Sequence, residues 1–459
     1  MHKERAAQQA ALQGSLKAVS AIERKGKPKI GVEEFLSLAR RFGLSSKTLA
    51  KIREALSEED LGAGPFLANY YADLKETSVQ AFERTAREVF GVKYAIGVNS
   101  GTGALHSAFV AVGVGPGKEV LCPAIGFYAT AAAVVQANGV PVFCDVDASL
   151  AMDPARIAPL ITKRTVAIAP TCVMGSVPDM AAIMKVARAH KLRVVEDCAQ
   201  SCGARFRGRK VGTFGDLGCF SISAYKIVGG GEGGLILTNA QRLWERANGV
   251  AECGGLWRPD RFAPPRYPDE LFAGTNYRMS ELEAAVDVVQ LRKADATVRR
   301  FNAVKQRILR RLKTFRGITP QKLNDPDGEV GYTLRFFPET FELGERIVRG
   351  LTAARLDAGM RGPNAPPDWH IYHSMFGVTL KSNADGPGCP LHCPRYREAG
   401  GNIRYARGDC PVADDLFDRM INVNLNQWYT AGDCREIAER INAVLAAQCR
   451  EDSGAAPWR

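Results

Sequence analysis

The sequence predicts an α/β fold in which a large domain on a mostly parallel sheet is followed by a small C-terminal α+β domain. Between residues 94 and 239, apolar runs of strand length alternate with helical stretches, a pattern typical of a parallel sheet covered on both faces. After residue 279 comes one long helical pattern without Pro or Gly. Strand and helix signals then mix to the end of the 459-residue chain, which is long enough for two domains of ordinary size.

The strands of the large domain are predicted from seven runs rich in β-branched and apolar residues. In chain order they are YAIGVN (94–99), EVLCPA (119–124), PVFCDVD (141–147), TVAIAPT (165–171), RVVED (193–197), CFSIS (219–223) and GGLILTN (233–239). Helical patterns at 102–114 and 178–191 lie between the earlier runs. Because open parallel sheets bind ligands beyond the carboxyl ends of their strands, the residues just after these runs are the first candidates for a site.

The remaining elements divide the chain into three expected parts. A helix at 280–312 leads out of the large domain, GYTLRFF (331–337) and MINVNL (420–425) predict strands, and 431–448 predicts the last helix. We expect an N-terminal helical arm at 1–45, the large domain at 46–295 and the small domain at 296–459. The segment 360–412, rich in Gly, Pro, His and Cys, predicts ordered loops that face the substrate.

Composition and charge exclude several classes of protein. The chain is 46% hydrophobic and 24% charged, without an apolar run long enough to span a membrane. Its polar start, MHKERAAQQAALQ, has no apolar region of a secretory signal, so we expect a cytoplasmic protein. The net charge of +12 is spread, with local clusters at 205–210 and 304–313. This favours solvated helix faces and anionic substrates over a nucleic-acid partner.

The 12 cysteines predict buried, reduced thiols. They are scattered, several lie inside apolar runs, and none forms a C-x-x-C pair. Cys389 and Cys393 are four residues apart beside His392, which leaves a metal site open as a minor alternative. Because the usual ligand spacing is missing, we predict no metal.

Three features follow predicted strands and point to chemistry. The segment NSGTGAL (99–105) opens a helix, whose N-terminus binds anions, and Gly101 lets a phosphate approach the backbone. Asp197 ends an apolar strand, where a charge needs a cationic partner. Lys226 stands in AYKIVGGGEGG (224–234), before glycines that leave room for other groups. Taken singly, they could be a connecting turn, a structural ion pair and a surface charge.

Together the three features suit one cofactor, pyridoxal 5′-phosphate. The lysine amine can form a Schiff base with its aldehyde, and the carboxylate can keep the pyridine nitrogen protonated so that the ring accepts electrons. The helix N-terminus can hold its phosphate. The sequence therefore predicts Lys226 and Asp197 as catalytic residues of a pyridoxal-phosphate enzyme.

Five motifs resemble those of the DegT/DnrJ/StrS sugar aminotransferases of the fold-type I pyridoxal-phosphate enzymes. They are NSGTGALHSA (99–108), PAIGFYAT (123–130), VVEDCAQSCGARFRGRKVGTFGDLGCFS (194–221), KIVGGGEGG (226–234) and NYRMSELEAA (276–285). The resemblance extends from about residue 46 to 448. It implies a fold-type I transferase that moves an amino group from L-glutamate or L-glutamine to a keto- or aldehydo-sugar by a ping-pong mechanism.

The resemblance also implies roles for individual residues. Lys226 would carry the cofactor and Asp197 would face its ring nitrogen. The other implied cofactor contacts are Gln200 at the phenolic oxygen, Phe127 stacked on the ring, Gly101, Thr102 and Ser221 at the phosphate, and Asn276 reaching the phosphate of a partner subunit. A homodimer with shared active sites follows from that last contact.

Departures from the family pattern leave alternatives open. Cys172 stands where the family often has His, Ser223 where His or Asn is common, and Ile227 where Asn is frequent. A sugar dehydratase or another non-transaminating enzyme on this scaffold is one alternative, and a pyridoxal-phosphate-binding regulator without turnover is another. Related dehydratases replace the lysine with His, so Lys226 favours transamination.

The acceptor is predicted from the segment RGPNAPPDWHIYHSMFG (361–377). Trp369 and Tyr372 offer faces for sugar C–H groups, His370 and His373 offer hydrogen bonds, and Arg361 can pair with a carboxylate or phosphate; packing of the small domain is the alternative for these side chains. Within the family, this segment and 64–84 look most like enzymes that aminate an oxidised octulosonic acid, of the 8-amino-Kdo type. We therefore expect an acceptor without a nucleotide.

Overall fold

The structure is a computed structural model that describes residues 31–56, 76–381 and 388–458. The chain divides into two compact units, 1–77 and 78–459. In the first unit, α1 (Val32–Arg41) begins with acidic and ends with basic residues, which suits the helix dipole. A turn containing Gly43, whose φ is +77°, leads to α2 (Ser46–Ala55). Most of the predicted arm, residues 1–30, lies outside the described residues, and the boundaries at 45/46 and 295/296 stay predictions.

The second unit carries the remaining described helices. They are α3 (Ser78–Phe90), α4 (Gly101–Ala111), α5 (Ala129–Gln136), α6 (Pro154–Leu160), α7 (Met180–Ala189), α8 (Gln241–Ala251), α9 (Glu281–Leu309), α10 (Phe341–Ala353), α11 (Phe376–Thr379), α12 (Pro394–Glu398), α13 (Pro411–Arg419) and α14 (Ala431–Gln448). Short 3₁₀ turns occupy Val173–Gly175 and Tyr372–Ser374. The helices predicted at 102–114, 178–191, 280–312 and 431–448 are confirmed.

The central sheet has seven strands, as the sequence predicts. They are β1 (Tyr94–Val98), β2 (Glu119–Pro123), β3 (Val140–Cys144), β4 (Thr165–Ile168), β5 (Arg193–Asp197), β8 (Leu217–Ser221) and β9 (Gly234–Thr238), in the spatial order β1-β9-β8-β5-β4-β2-β3. The β2–β3, β2–β4, β4–β5 and β5–β8 pairs are parallel, and only β9 runs against its neighbours β1 and β8. The mostly parallel sheet is therefore confirmed.

Both faces of this sheet are buried, which explains its apolar strands. Along β2, Val120 and Cys122 pack into one cluster of buried side chains while Leu121 packs into another. The same alternation divides Val194 from Val195 on β5. Because successive side chains of a strand point to opposite faces, each strand contributes to two layers of core. Charged residues are thereby displaced to the strand ends.

A four-stranded antiparallel sheet forms the core of the C-terminal part. Its order is β11 (Ile318–Pro320), β12 (Thr333–Pro338), β14 (Ile421–Asn424) and β13 (Ala358–Gly359). The long helix α9 joins the two cores, since Leu291 packs against the central sheet and Ile308 against the smaller one. This placement confirms the predicted helix that leads out of the large domain.

Shorter pairings were not predicted from the sequence. The basic cluster at 205–210 forms a small hairpin of β6 (Arg205–Phe206) and β7 (Arg209–Lys210), and β10 (Phe315–Arg316) pairs with β15 (Arg450–Glu451). Two-residue strands carry too few side chains for a period of two to show. Among the described residues, none of the helices has the length and apolarity to cross a membrane, and no cluster of three metal-binding side chains occurs.

Candidate active site

The carboxyl ends of β1, β5 and β8 bring the sequence-predicted residues to one edge of the central sheet. Asp197 is the last residue of β5, and Ser221 is the last of β8. Helix α4 begins at Gly101, three residues after β1 ends. A Cβ on Gly101 would lie 2.7 Å from Ser221 Cβ, so the α4 N-terminus approaches Ser221 only because residue 101 is glycine. Thr102 follows in the first helical turn.

Asp197 is a buried carboxylate held by two donors. It is 2% exposed. The Thr130 hydroxyl donates to Oδ2 at 2.5 Å, and the backbone N–H of Ala199 donates to Oδ1 at 3.0 Å. Burial raises the pKa of Asp197, and these hydrogen bonds and the Lys226 charge act against the rise. Thr130 is the last residue of the motif PAIGFYAT (123–130), but the sequence does not predict it as a site residue.

Lys226 lies on the connection between β8 and its antiparallel neighbour β9. The backbone N–H of Ala224 donates to the Gly231 carbonyl at 2.8 Å, and that of Lys226 donates to Ser223 at 2.9 Å. Burial lowers the pKa of Lys226, while the charges of Asp197 and Glu232 oppose the decrease. Within the described residues, however, no carboxylate comes within the 4 Å of an ion pair with its Nζ. The amine and Asp197 therefore act on each other without direct contact.

The glycines after Lys226 are explained by an acid pair on α9. A Cβ on Gly230 would lie 2.9 Å from Asp287 Oδ1, and one on Gly231 would lie 2.4 Å from Glu283 Oε2. Asp287 has no exposed surface, and the Glu283 carboxyl is its side-chain hydrogen-bond partner. Burial and the neighbouring Glu283 raise the pKa of Asp287. Burial and the neighbouring carboxyl group thus favour the protonated form of Asp287.

Gln200 is fixed by partners on both sides of its amide. Its Oε1 accepts from the backbone N–H of Met174 at 2.7 Å, and its Nε2 lies 3.1 Å from His370 Nε2. His370 Nδ1 is in turn 2.8 Å from Asp368 Oδ1. A neutral His370 with its proton on Nδ1 satisfies both contacts, since it donates to Asp368 and accepts from Gln200. The Phe127 ring packs against the His370 ring with centroids 5.3 Å apart.

A cavity of about 1010 Å³ adjoins these groups. Of the sequence-predicted residues, Lys226, Gln200, Arg361 and His370 line it. Arg361 forms an ion pair with Asp368 at 2.8 Å. The beginning of the predicted loop segment 360–412 thus contributes to the wall of the cavity, whereas the rest of its described part contains α11 and α12 and does not line it. Residues 382–387 lie outside the described residues.

Three of the sequence-predicted acceptor residues lie away from the lining of this cavity. Tyr372 has no exposed surface, and its hydroxyl donates to the Ala406 carbonyl at 2.9 Å; the expectation that it offers a face to a sugar is corrected, because its ring packs in the core. His373 lies 3.7 Å from Asp414 Oδ1, and burial lowers its pKa. Trp369 is 55% exposed and packs against Tyr128.

Asn276 is exposed and lies apart from the cavity. Its side-chain oxygen accepts from the backbone N–H of Arg278 at 3.2 Å, and its backbone bridges to Glu252. Asn276 does not line the cavity. Its predicted contact with the phosphate of a partner subunit stays a prediction.

Sequence reasoning missed two further residues of the cavity. Asp368 orients His370, and Arg335 lies in the lining with three neutral hydrogen-bond partners. Arg335 had a signal, since it is the only charged residue in the apolar run GYTLRFF. Asp368 also had a signal, since it stands two residues before His370, whereas Thr130 had none, because its contact joins distant segments.

The residues fit pyridoxal 5′-phosphate. The Lys226 amine and the buried Asp197 carboxylate act on each other by charge without an ion pair of their own, which is compatible with a ring held between them. The N-terminus of α4 lies beside Ser221, and the glycine at position 101 allows this close approach. A phosphate can bind the backbone N–H groups at such a helix N-terminus. The ring wall is aromatic, with Phe127 against His370.

Comparison with known proteins agrees with this geometry. Residues 71–361 match the DegT/DnrJ/EryC1/StrS aminotransferase family. The GDP-perosamine synthase of Caulobacter vibrioides is 34% identical over 64% of this chain and 76% of its own length. The L-glutamine:2-deoxy-scyllo-inosose aminotransferase of Streptomyces kanamyceticus is 36% identical over 81% of this chain and 86% of its own. The structure of S. venezuelae DesV in complex with a ketimine intermediate is 25% identical, with a TM-score of 0.64 over 92% of this chain and 98% of that one.

The chain belongs to the DegT/DnrJ/EryC1/StrS aminotransferase family. Its fold is that of the fold-type I pyridoxal-phosphate transferases, and it is an aminotransferase that uses this cofactor. The resemblance found in the sequence is confirmed.

Proposed function

We propose that this member of the family transfers the amino group of L-glutamate or L-glutamine to the carbonyl of a keto- or aldehydo-sugar by a ping-pong mechanism. One observation carries the proposal: Lys226 lines a large cavity, and the charge of the buried Asp197 acts on its amine although the two side chains form no ion pair. A cofactor ring held between them would have its reactive carbon at the lysine and its nitrogen at the carboxylate.

Lys226 is the proton carrier in this proposal. When bound, pyridoxal 5′-phosphate supplies a ring that accepts the electrons of the carbon bearing the amino group. Burial lowers the pKa of Lys226, so its amine loses a proton more readily than an exposed lysine does. The amine is thereby suited to take the α-proton of the amino donor and to return a proton in the second half of the reaction.

Asp197 and the Gln200 side chain hold the ring in this proposal. The bonds from Thr130 and Ala199 favour the ionised form of Asp197 against the effect of burial, and an ionised carboxylate keeps a ring nitrogen protonated. Gln200 would face the phenolic oxygen, with its amide oriented by Met174 and His370. Phe127 would stack on the ring, and Gly101, Thr102 and Ser221 would bind the phosphate.

The proposed acceptor is a sugar carbonyl without a nucleotide. Arg361 lies in the cavity wall beside His370, where its guanidinium offers hydrogen bonds to hydroxyl or acidic groups. The relative named for 2-deoxy-scyllo-inosose aminates a ring without a nucleotide in its name, whereas GDP-perosamine synthase is named for a nucleotide-linked sugar.

We further propose a cytoplasmic homodimer with shared active sites. Asn276 is exposed, and Tyr225 next to the catalytic lysine is 95% exposed although it lines the cavity. An aromatic side chain so exposed beside a site is suited to being covered by another subunit. Asn276 would then reach the phosphate in the partner's site.

The visible spectrum of the purified holoenzyme tests the proposal. We expect a yellow band that bleaches on addition of L-glutamate or L-glutamine, and 2-oxoglutarate release from glutamate when a keto- or aldehydo-sugar completes the cycle. A yellow protein whose spectrum neither donor changes would contradict the proposal and favour the dehydratase or the regulator. Turnover with UDP- or dTDP-4-keto-hexoses far above that with any free sugar would contradict the acceptor class.

A further inference from the structure

Arg335 is a buried arginine in the cavity wall that the proposed mechanism does not use. It lies on β12, is 3% exposed, and belongs to the lining of the 1010 Å³ cavity. Its Nε donates to Asn422 Oδ1 at 2.8 Å, its Nη1 to Gln321 Oε1 at 3.3 Å, and its Nη2 to the Met174 carbonyl at 2.6 Å. All three acceptors are neutral. A guanidinium has five N–H groups, so the contacts among described residues account for three and leave two.

The positive charge of this region is not balanced by the protein. Lys305 Nζ lies 2.5 Å from Glu329 Oε1, and each side chain is 4% exposed. That carboxylate is therefore committed to Lys305, and among the described residues no carboxylate lies within 4 Å of Arg335. Burial lowers the pKa of Arg335, yet an arginine stays protonated in proteins. A buried net charge of this kind is costly unless an anion joins it.

Arg361, the arginine expected from the sequence to bind an acidic group, differs in this respect. It is paired with Asp368 at 2.8 Å and its side chain is 40% exposed. An exposed arginine that is already paired with a carboxylate gains less interaction free energy from a second anion than a buried arginine that has no carboxylate partner. Arg335 is therefore the stronger anion site of the two.

Met174 places Arg335 close to the residue that would face the cofactor ring. The Met174 carbonyl accepts from Arg335, and its N–H donates to Gln200 Oε1. One residue thus joins the two side chains. Met174 has a φ of +51°, which is uncommon for a residue other than glycine. In this backbone conformation its carbonyl contacts Arg335 and its N–H contacts Gln200.

We propose that Arg335 is the residue that binds a carboxylate of the substrate in this cavity. The inference rests on the proposed transamination, because it assigns a ligand to the same site. Two carboxylates have the same chemistry: one from the amino donor and one from an acidic sugar acceptor. Both occupy one site in turn in a ping-pong reaction, and the fork of the guanidinium suits either.

The test compares Arg335→Gln and Arg335→Lys holoenzymes with an Arg346→Gln control. Arg346 is an exposed arginine on α10 that also donates to neutral oxygens, those of Gln448 and the Glu342 backbone. In the donor arm, L-glutamate and L-glutamine are titrated against the visible band without acceptor. In the acceptor arm, an 8-aldehydo octulosonic acid is compared with an uncharged aldehydo-sugar at a saturating donor.

We expect Arg335→Gln to raise the half-saturating concentration of the carboxylate it binds by about 10- to 100-fold, the value of one or two charge-assisted hydrogen bonds. An increase in the donor arm assigns Arg335 to the donor, and an increase only for the octulosonic acid assigns it to the acceptor. Arg335→Lys keeps the charge but loses the fork, so a smaller increase is expected. The uncharged sugar and the control stay within about twofold of the wild type.

Unchanged half-saturation in both arms would overturn the proposal. If the glutamine variant does not fold, Arg335→Lys decides, because wild-type affinity in both arms would exclude a bidentate contact. Failure of the proposed function looks different, since the wild-type spectrum itself would then not respond to either donor.

Discussion

The Thr130–Asp197 hydrogen bond provides a quantitative test of how the site holds its carboxylate ionised. Thr130→Val replaces the hydroxyl that donates to Asp197 Oδ2 at 2.5 Å with a methyl group of similar shape. A buried hydrogen bond to a charged group contributes about 1.5 to 3 kcal/mol, and one pKa unit corresponds to about 1.4 kcal/mol. The pKa of Asp197, already raised by burial, should therefore rise by a further one to two units or so.

The direction of the pH effect follows from the form of Asp197 that the reaction needs. Only the ionised carboxylate holds the ring nitrogen protonated, and a higher pKa means that this form is lost at a higher pH. We expect the acid limb of the kcat/KM profile for the donor half-reaction to move to higher pH by about one to two units. Stopped-flow absorbance across pH 4 to 9 or so measures this profile.

Two variants serve as controls. Thr130→Ser keeps the hydroxyl and should keep the wild-type acid limb. Thr171→Val removes a buried hydroxyl that makes no hydrogen bond to the described residues. Thr171 is a matched control because its backbone pairs with that of Asp197. An acid limb that moves equally in Thr130→Val and Thr171→Val, or in neither, would refute the assigned role of the Thr130 bond.

Further predictions concern four side chains. Lys226→Ala should abolish the visible band and turnover while circular dichroism stays native, and full activity would contradict its role. Asp197→Asn should keep the cofactor but lower kcat by about a hundredfold, the scale of one lost electrostatic contact; near-normal turnover would count against it. Burial and Glu283 raise the pKa of Asp287 in the folded protein. Its contribution to the free energy of unfolding is therefore complete below the pKa of an aspartate in the unfolded chain, and it is lost as the pH rises through the pKa of Asp287 in the folded protein. Asp287→Asn should therefore raise the melting temperature by a few degrees near pH 9 but not near pH 5, and a pH-independent difference would contradict the buried proton. Mixing Lys226→Ala with an inactive Asn276→Ala variant should restore activity in heterodimers, whereas a monomeric active enzyme would exclude shared sites.

The fold was predictable because its determinants are local. The seven strands of the central sheet are apolar runs buried on both faces, and α9 is a long pattern without a helix breaker. The same pattern predicted Asp197 at the end of its strand and Lys226 on the connection that follows β8. The hairpin at 205–210 was not predicted, because two-residue strands have no period to detect.

The finer geometry of the site was less predictable because it depends on contacts between distant segments. Tyr372 looked like a sugar-binding aromatic in sequence, but its hydroxyl meets Ala406 and its ring is buried. Asp368 orients His370 two residues further on, and His370 meets Gln200, a contact between two distant segments that no spacing reveals. Arg335 was visible as a charge in an apolar strand, yet its lack of a carboxylate partner appears only in three dimensions.

The antiparallel turn that carries Lys226 has a consequence for how the lysine moves. Backbone bonds from Ile222 to Gly233 and from Ala224 to Gly231 tie both arms of the turn together, in continuation of the β8–β9 ladder. These bonds restrain the backbone on both sides of Lys226, and rotation about the bonds of its own side chain is enough to move the amine away and back. The amine can therefore leave and return while the hydrogen bonds between the two arms of the turn stay in place.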